Sequence, residues 1–142
     1  MELPLRLLVS AVVVGLTLPA FVSGLSAYEA AQVSVRVQQG IDAIVRGAED
    51  LFVAGGGAQT IHVDFGGGVT VRVEYVVLGD VPGGPRAPTA TYKLTGQGPV
   101  FLLSDPPVPM AGTAGPLRLG PGSHAVRVSY EGDGPVRLSV VG

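Results

Sequence analysis

The 142-residue chain has no cysteine, no tryptophan and no asparagine, and only one lysine, Lys93, against eight arginines. Without cysteine there is no disulfide, no zinc–thiolate site and no thiol chemistry, and the redox compartment stays open. Without asparagine there is no N-glycosylation acceptor. The same absence suits a heat-exposed protein, because asparagine is thermolabile, and equally a GC-rich coding bias, which also favours Arg over Lys. Charge is scarce. Charged residues make up 14 % of the chain, where soluble domains carry roughly 25 %. The formal net charge is −2, so no basic stripe is available for nucleic acid. A mean hydropathy of +0.46 points to a chain that spends part of its length away from water.

What is abundant divides the chain in two near Gly55-Gly56-Gly57. Before that point Pro19 is the only proline after Pro4, and glycines are scattered at 15, 24, 40 and 47. After it, glycine and proline are dense and apolar residues alternate. The first part predicts helix, the second strands. The expected fold class is α+β: a long N-terminal helix, membrane-spanning and then amphipathic, followed by an all-β immunoglobulin-like sandwich. The domains are residues 1–54, a transmembrane or spine helix, and 55–142, an extracellular β-sandwich.

From Leu7 to Leu25 no residue is charged. Nineteen residues of helix span roughly 28 Å, about one hydrocarbon core. Ser10, Thr17 and Ser23 have hydroxyls to return to the helix backbone, and Pro19 is tolerated in such a helix and predicts a kink. Arg6 precedes the run and places the N-terminus inside. Beyond the run, Tyr28, Ala31, Val35, Gln38, Ile41, Val45, Ala48 and Phe52 follow at steps of three or four, an apolar stripe of an amphipathic helix ending at Gly55. The helix, about 5 to 53, would be roughly 70 Å long. The β-residues cannot cover a rod of that length.

Three roles fit the opening stretch. A secretory signal would be cut near Val22-Ser23-Gly24. A simple anchor needs only the apolar run. A third possibility is a helix that associates with copies of itself through its small residues, Ala11, Gly15, Ala20, Gly24 and Ala27, three to five positions apart. An apolar helix running into an amphipathic one and then a small β-domain resembles archaeal type IV pilin-like and archaellin-like subunits. The resemblance implies a membrane-held subunit whose helix joins a filament core, with the β-domain outside. Two marks of that family are absent. "MELPLR" has no Gly or Ala for leader cleavage, and no glutamate stands early in the apolar run.

In the β-half, Thr60–Phe65 and Val69–Tyr75 alternate around Gly66-Gly67-Gly68. They predict a hairpin with Phe65 facing Val69, His62 facing Arg72 and Asp64 diagonal to it, with Val69, Val71, Val73 and Tyr75 inward. Residues 79–88 and 105–112 predict stiff loops. Ala90, Tyr92 and Leu94 alternate, and 99–103 is a short run buried on both faces or beside lipid. Val126, Val128 and Tyr130 pair with Val136, Leu138 and Val140 across Glu131-Gly-Asp-Gly-Pro135. Six to eight short strands suit a sandwich or open barrel.

Site chemistry is sparse. His62 and His124 lie on different strands, and "EGDG" has too few ordered oxygens for a calcium loop. The triple glycines lack the lysine and helix of a phosphate loop. No enzyme activity, cofactor or metal is expected. The expected function is structural: a pilin-like surface protein that self-associates through Ala11, Gly15, Ala20, Gly24 and Ala27, located in the cell membrane or an extracellular filament. The alternative is an anchored or secreted binding module using the Pro/Gly loops at 79–88 and 105–116 on a surface or ligand.

Overall fold

The computed structural model describes residues 2–103 and 107–141. One helix, α1 (Glu2–Ala54), runs unbroken through Pro19. It is 53 residues long, roughly 80 Å at 1.5 Å per residue. Inside the apolar run the Thr17 hydroxyl donates to the Val13 carbonyl at 2.9 Å, so it needs no water. The helix ends where glycine permits a left-handed residue. Gly55 has φ +84°, and the Gly55 and Gly56 amides both donate to Leu51 O, at 3.0 and 3.1 Å.

Eight strands follow: β1 (Gly57–Asp64), β2 (Val73–Leu78), β3 (Thr89–Leu94), β4 (Val100–Leu103), β5 (Met110–Ala111), β6 (Leu117–Leu119), β7 (Ser123–Tyr130) and β8 (Val136–Val141). They form two four-stranded sheets, ordered β1-β7-β8-β5 and β4-β3-β2-β6. All pairings are antiparallel except β5 with β8. The last hairpin has the expected register, with Val126 opposite Val140 and Val128 opposite Leu138.

One core joins both sheets and the second half of α1. The helix contributes Ala30, Val33, Val37, Ile41, Ile44 and Ala48. The sheets contribute Val63, Val126, Val128 and Leu138 on one side and Val76, Leu78, Tyr92 and Leu94 on the other. Each fully buried Val, Leu or Ile is worth roughly 1.5–3 kcal/mol of transfer free energy. Tyr92, on β3, reaches the helix: its hydroxyl lies 2.6 Å from Ser34 Oγ and 2.7 Å from Gln38 Nε2.

The buried stripe differs from the expected one. Only Ile41 and Ala48 belong to both, while Tyr28 and Val35 are exposed. The expected positions take seven steps over 24 residues and so drift around a straight helix of 3.6 residues per turn. The face actually buried includes two glycines. A Cβ on Gly40 would stand 2.8 Å from Phe65 Cε1, and one on Gly47 would stand 2.4 Å from Ile61 Cδ1. These glycines let β1 and the residue after it lie directly on the helix.

The expected hairpin across Gly66–Gly68 does not form. β1 pairs with β7 instead, and the chain from 65 crosses to the other sheet. Phe65 turns into the core against Gly40, with its amide donating to Gly122 O at 2.9 Å. Val71 and Val73 are buried as expected, but Val69 is 86 % exposed. Residues 99–103 are not buried on both faces, because β4 is a sheet edge and Phe101 and Leu103 face out. The second loop is partly strand: Met110–Ala111 pairs with β8, and Val108 and Met110 are core residues.

The two helix glycines should respond differently to a methyl group. Phe65 is a fully buried ring with nowhere to move, so Gly40→Ala should destabilise the β-domain by about 1–2 kcal/mol, despite the better helix propensity of alanine. The tips of Ile61 and Gln59 near Gly47 are flexible and partly solvated. Gly47→Ala should therefore stay within about 0.5 kcal/mol of the parent. Denaturant unfolding of the full chain in detergent, followed by tyrosine circular dichroism, measures both.

Candidate functional site

Between residues 5 and 28 no described side chain of α1 except the half-buried Ser26 is covered by the rest of the protein. None of its 18-residue apolar window, of mean hydropathy 2.1, is buried. The helix is thus long and apolar enough to span a membrane, and among its described side chains the first that is buried is Ala30. The five small residues all lie on this bare part, and none has a neighbour from the β-domain. A Cβ on Gly15 or Gly24 meets nothing within 4 Å, in contrast to Gly40 and Gly47.

Helix geometry separates the five into two groups. Ala11 and Gly15 are one turn apart and within about 40° of each other around the axis. Ala20, Gly24 and Ala27 form a second ridge, offset from the first by roughly 120–180°. Each group holds a small-xxx-small pair of the kind that lets membrane helices approach. The spacing thus places the small residues on two nearly opposite faces and not in one stripe.

Just past the apolar run, Glu29 joins the helix to the segment between β1 and β2. Its carboxylate accepts the Val69 amide at 3.1 Å, the Thr70 amide at 2.8 Å and the Thr70 hydroxyl. Gly68 lies so close that a Cβ there would be 2.8 Å from Glu29 Cδ. Arg36 Nη1 donates to Gly66 O at 3.4 Å, about two helical turns further along α1. The Thr70 hydroxyl, and then the Thr70 amide, hold the Glu29 carboxyl below its ordinary range. Partial desolvation opposes them, and the Val69 and Val71 amides add to the lowering. The sequence reading missed this contact. Its only sequence signals were an isolated acid between the apolar run and the stripe and a glycine-rich segment with amides to satisfy.

The predicted His62/Asp64/Arg72 cluster is not assembled. Arg72 follows the crossing segment, while Asp64 faces Ser123 and His62 faces Ala125 across β1 and β7. The Asp64 carboxylate accepts the Gly66 amide at 2.9 Å, and among the described residues no hydrogen bond links His62, Asp64 and Ser123. His124 is on the inner side, its Nε2 2.8 Å from Gly120 O and its ring 6.2 Å from Phe65. Among the described residues no three His, Asp or Glu converge as metal ligands.

The two Pro/Gly segments brace each other. Met110 N donates to Ala87 O at 2.8 Å and Met110 O accepts from Asp80 N at 3.1 Å. The Asp80 carboxylate turns back onto the Val81 and Arg86 amides. Elsewhere, a groove of about 590 Å³ lies between α1 (Val35, Val45) and the β3–β4 edge (Ala90, Leu102, Leu103). No protein family, curated protein or solved structure matches this chain.

The Glu29 contact carries a pH signature. A carboxylate with a depressed folded pKa stabilises above the unfolded carboxylate range, and that contribution is lost as pH falls through the folded value. Amide exchange at Val69 and Thr70, corrected for intrinsic rates, should stay protected down through the ordinary carboxylate range. Protection should then fall as Glu29 protonates. In Glu29→Gln it should be weak and flat at every pH.

Proposed function

We propose that this chain is a structural, pilin-like surface protein. It is anchored in the cell membrane with its N-terminus inside, and its N-terminal helix associates with the helices of other copies, as in a filament. The observation that carries this reading is the contrast between two pairs of helix glycines. Gly40 and Gly47 are occupied by the chain's own β-domain, while Gly15 and Gly24 face empty space on a bare apolar helix. Two opposed faces support contacts to more than one neighbour, which a chain of subunits needs and an isolated dimer does not.

The immunoglobulin-like description of the β-domain belongs to the same proposal. It is supported by two four-stranded, mostly antiparallel sheets sharing a core. A second reading, an anchored extracellular binding module, is favoured by the groove between α1 and the β3–β4 edge. In that reading the Pro/Gly segments form a rigid rim near the groove, to which Pro88 contributes, and do not wrap a ligand by themselves.

Bulky substitutions on each face separate the readings. In detergent or nanodiscs, sedimentation of the parent chain should show assemblies larger than a dimer. Gly15→Leu and Gly24→Leu should each leave one face and give dimers. The double variant should be monomeric, with the β-domain's circular dichroism unchanged. A double variant that assembles like the parent would sink the structural reading and leave the binding module.

A further inference from the structure

The residues between β1 and β2 descend along the helix toward the apolar run and turn back beside Glu29. Gly66 is level with Arg36, and Val69 and Thr70 are level with Glu29. Chain direction then reverses into Val71 and β2. Glu29 stands four residues beyond Leu25, the last residue of the uncharged run, which is about 6 Å along the axis. The headgroup layer on one side of a bilayer is about 5–7 Å thick. The reversal therefore lies at headgroup depth whenever the run fills the hydrocarbon. Val69 stands at that reversal 86 % exposed, an apolar side chain with no cover from the protein. Tyr28, also exposed, is the aromatic neighbour expected at an interface.

From this placement we propose that the Gly66–Thr70 tip is a membrane-contact surface: Val69 inserts among lipid headgroups beside Tyr28, and the Glu29 contact fixes the depth and tilt of the β-domain over the bilayer. The partner is a lipid surface. The inference rests on the anchor reading of α1. Three features of the tip suit the role. Gly68 lets the backbone lie against Glu29 of the helix, so the tip cannot swing away without losing the Glu29 hydrogen bonds. The Glu29 charge is taken up by two amides and a hydroxyl, which reduces its repulsion from phosphate. Arg36 and the exposed Arg72 flank the tip with positive charge.

The chain has no tryptophan, so single-tryptophan variants of the full protein report one position each. Val69→Trp, Phe21→Trp and Val53→Trp are compared in phosphatidylcholine vesicles with and without acyl chains brominated near the glycerol end. Phe21 lies in the run, and Val53 is exposed at the far end of the helix. Emission from Val69→Trp should be blue-shifted and drop roughly twofold with bromolipid, that from Val53→Trp should not change, and that from Phe21→Trp should be quenched. Quenching of Phe21→Trp with none at Val69→Trp would overturn the contact and leave the anchor standing. A blue shift at Val69→Trp without quenching would assign the tip to a neighbouring protein and overturn the lipid contact. No quenching at either position would overturn the anchor as well.

Discussion

The structure depends on the continuity of a single helix whose two halves need different surroundings. From Ala30 to Leu51, α1 is one wall of a hydrophobic core. From Leu5 to Leu25 none of its described side chains is covered by the rest of the protein. No loop separates the halves, and the helix passes Pro19 without ending. Whatever holds the bare half therefore sets the position of the β-domain directly. A flexible tether would let the domain sample many orientations. An uninterrupted helix gives it few.

That coupling is sharpened by the close approach at Gly40. With the Phe65 ring lodged against the helix backbone, β1 cannot slide along α1 without a clash or a cavity. Phe65 thus sets the height of the segment that follows it. From there the chain reaches Glu29, whose carboxylate fixes the Val69–Thr70 reversal. Tyr92 ties the other sheet to Ser34 and Gln38 on the same length of helix. Both sheets are thus referenced to one short stretch of α1 just above the apolar run.

Much of this architecture was legible in the sequence because it rests on local signals. The uncharged run, the end at Gly55 and the alternation of Ala90, Tyr92 and Leu94 all follow from period and glycine chemistry. The pairing of β1 was not legible. Alternation marks a strand but not its partner, and the true partner, Ser123–Tyr130, is roughly sixty to seventy residues away. Val69 shares the parity of Val71 and Val73, yet Glu29 holds its backbone at a turn, so parity misplaced it. The helix stripe was misjudged because the steps from Tyr28 to Phe52 are too short on average and drift, whereas the buried face, Ala30, Val33, Val37, Ile41, Ile44 and Ala48, keeps 3.6 residues per turn and carries Gly40 and Gly47 beside it. At the candidate site the small residues were visible as types. Their division into two faces needed the geometry of a continuous helix, and the Glu29 contact spans forty residues of sequence that no local rule connects.

The bare half also restricts how self-association can work. In a bilayer, lipid tails are as apolar as Leu7, Val13 or Phe21, so helices gain no hydrophobic free energy by meeting. In the proposed assembly, contact would have to come from close packing, for which the Ala11–Gly15 and Ala20–Gly24–Ala27 ridges are suited. Outside a bilayer the balance reverses. Val12, Val14 and Phe21 project around the helix between those ridges and are all exposed, at roughly 1.5–3 kcal/mol for each side chain left in water. Two neighbours seated on opposed ridges leave the flanks bare. A filament that carries this helix out of the membrane therefore has to surround it with several copies, while an assembly of two or three has to remain in lipid. In the proposed assembly the small residues would select the neighbours, and the large ones would determine whether lipid or protein completes the cover.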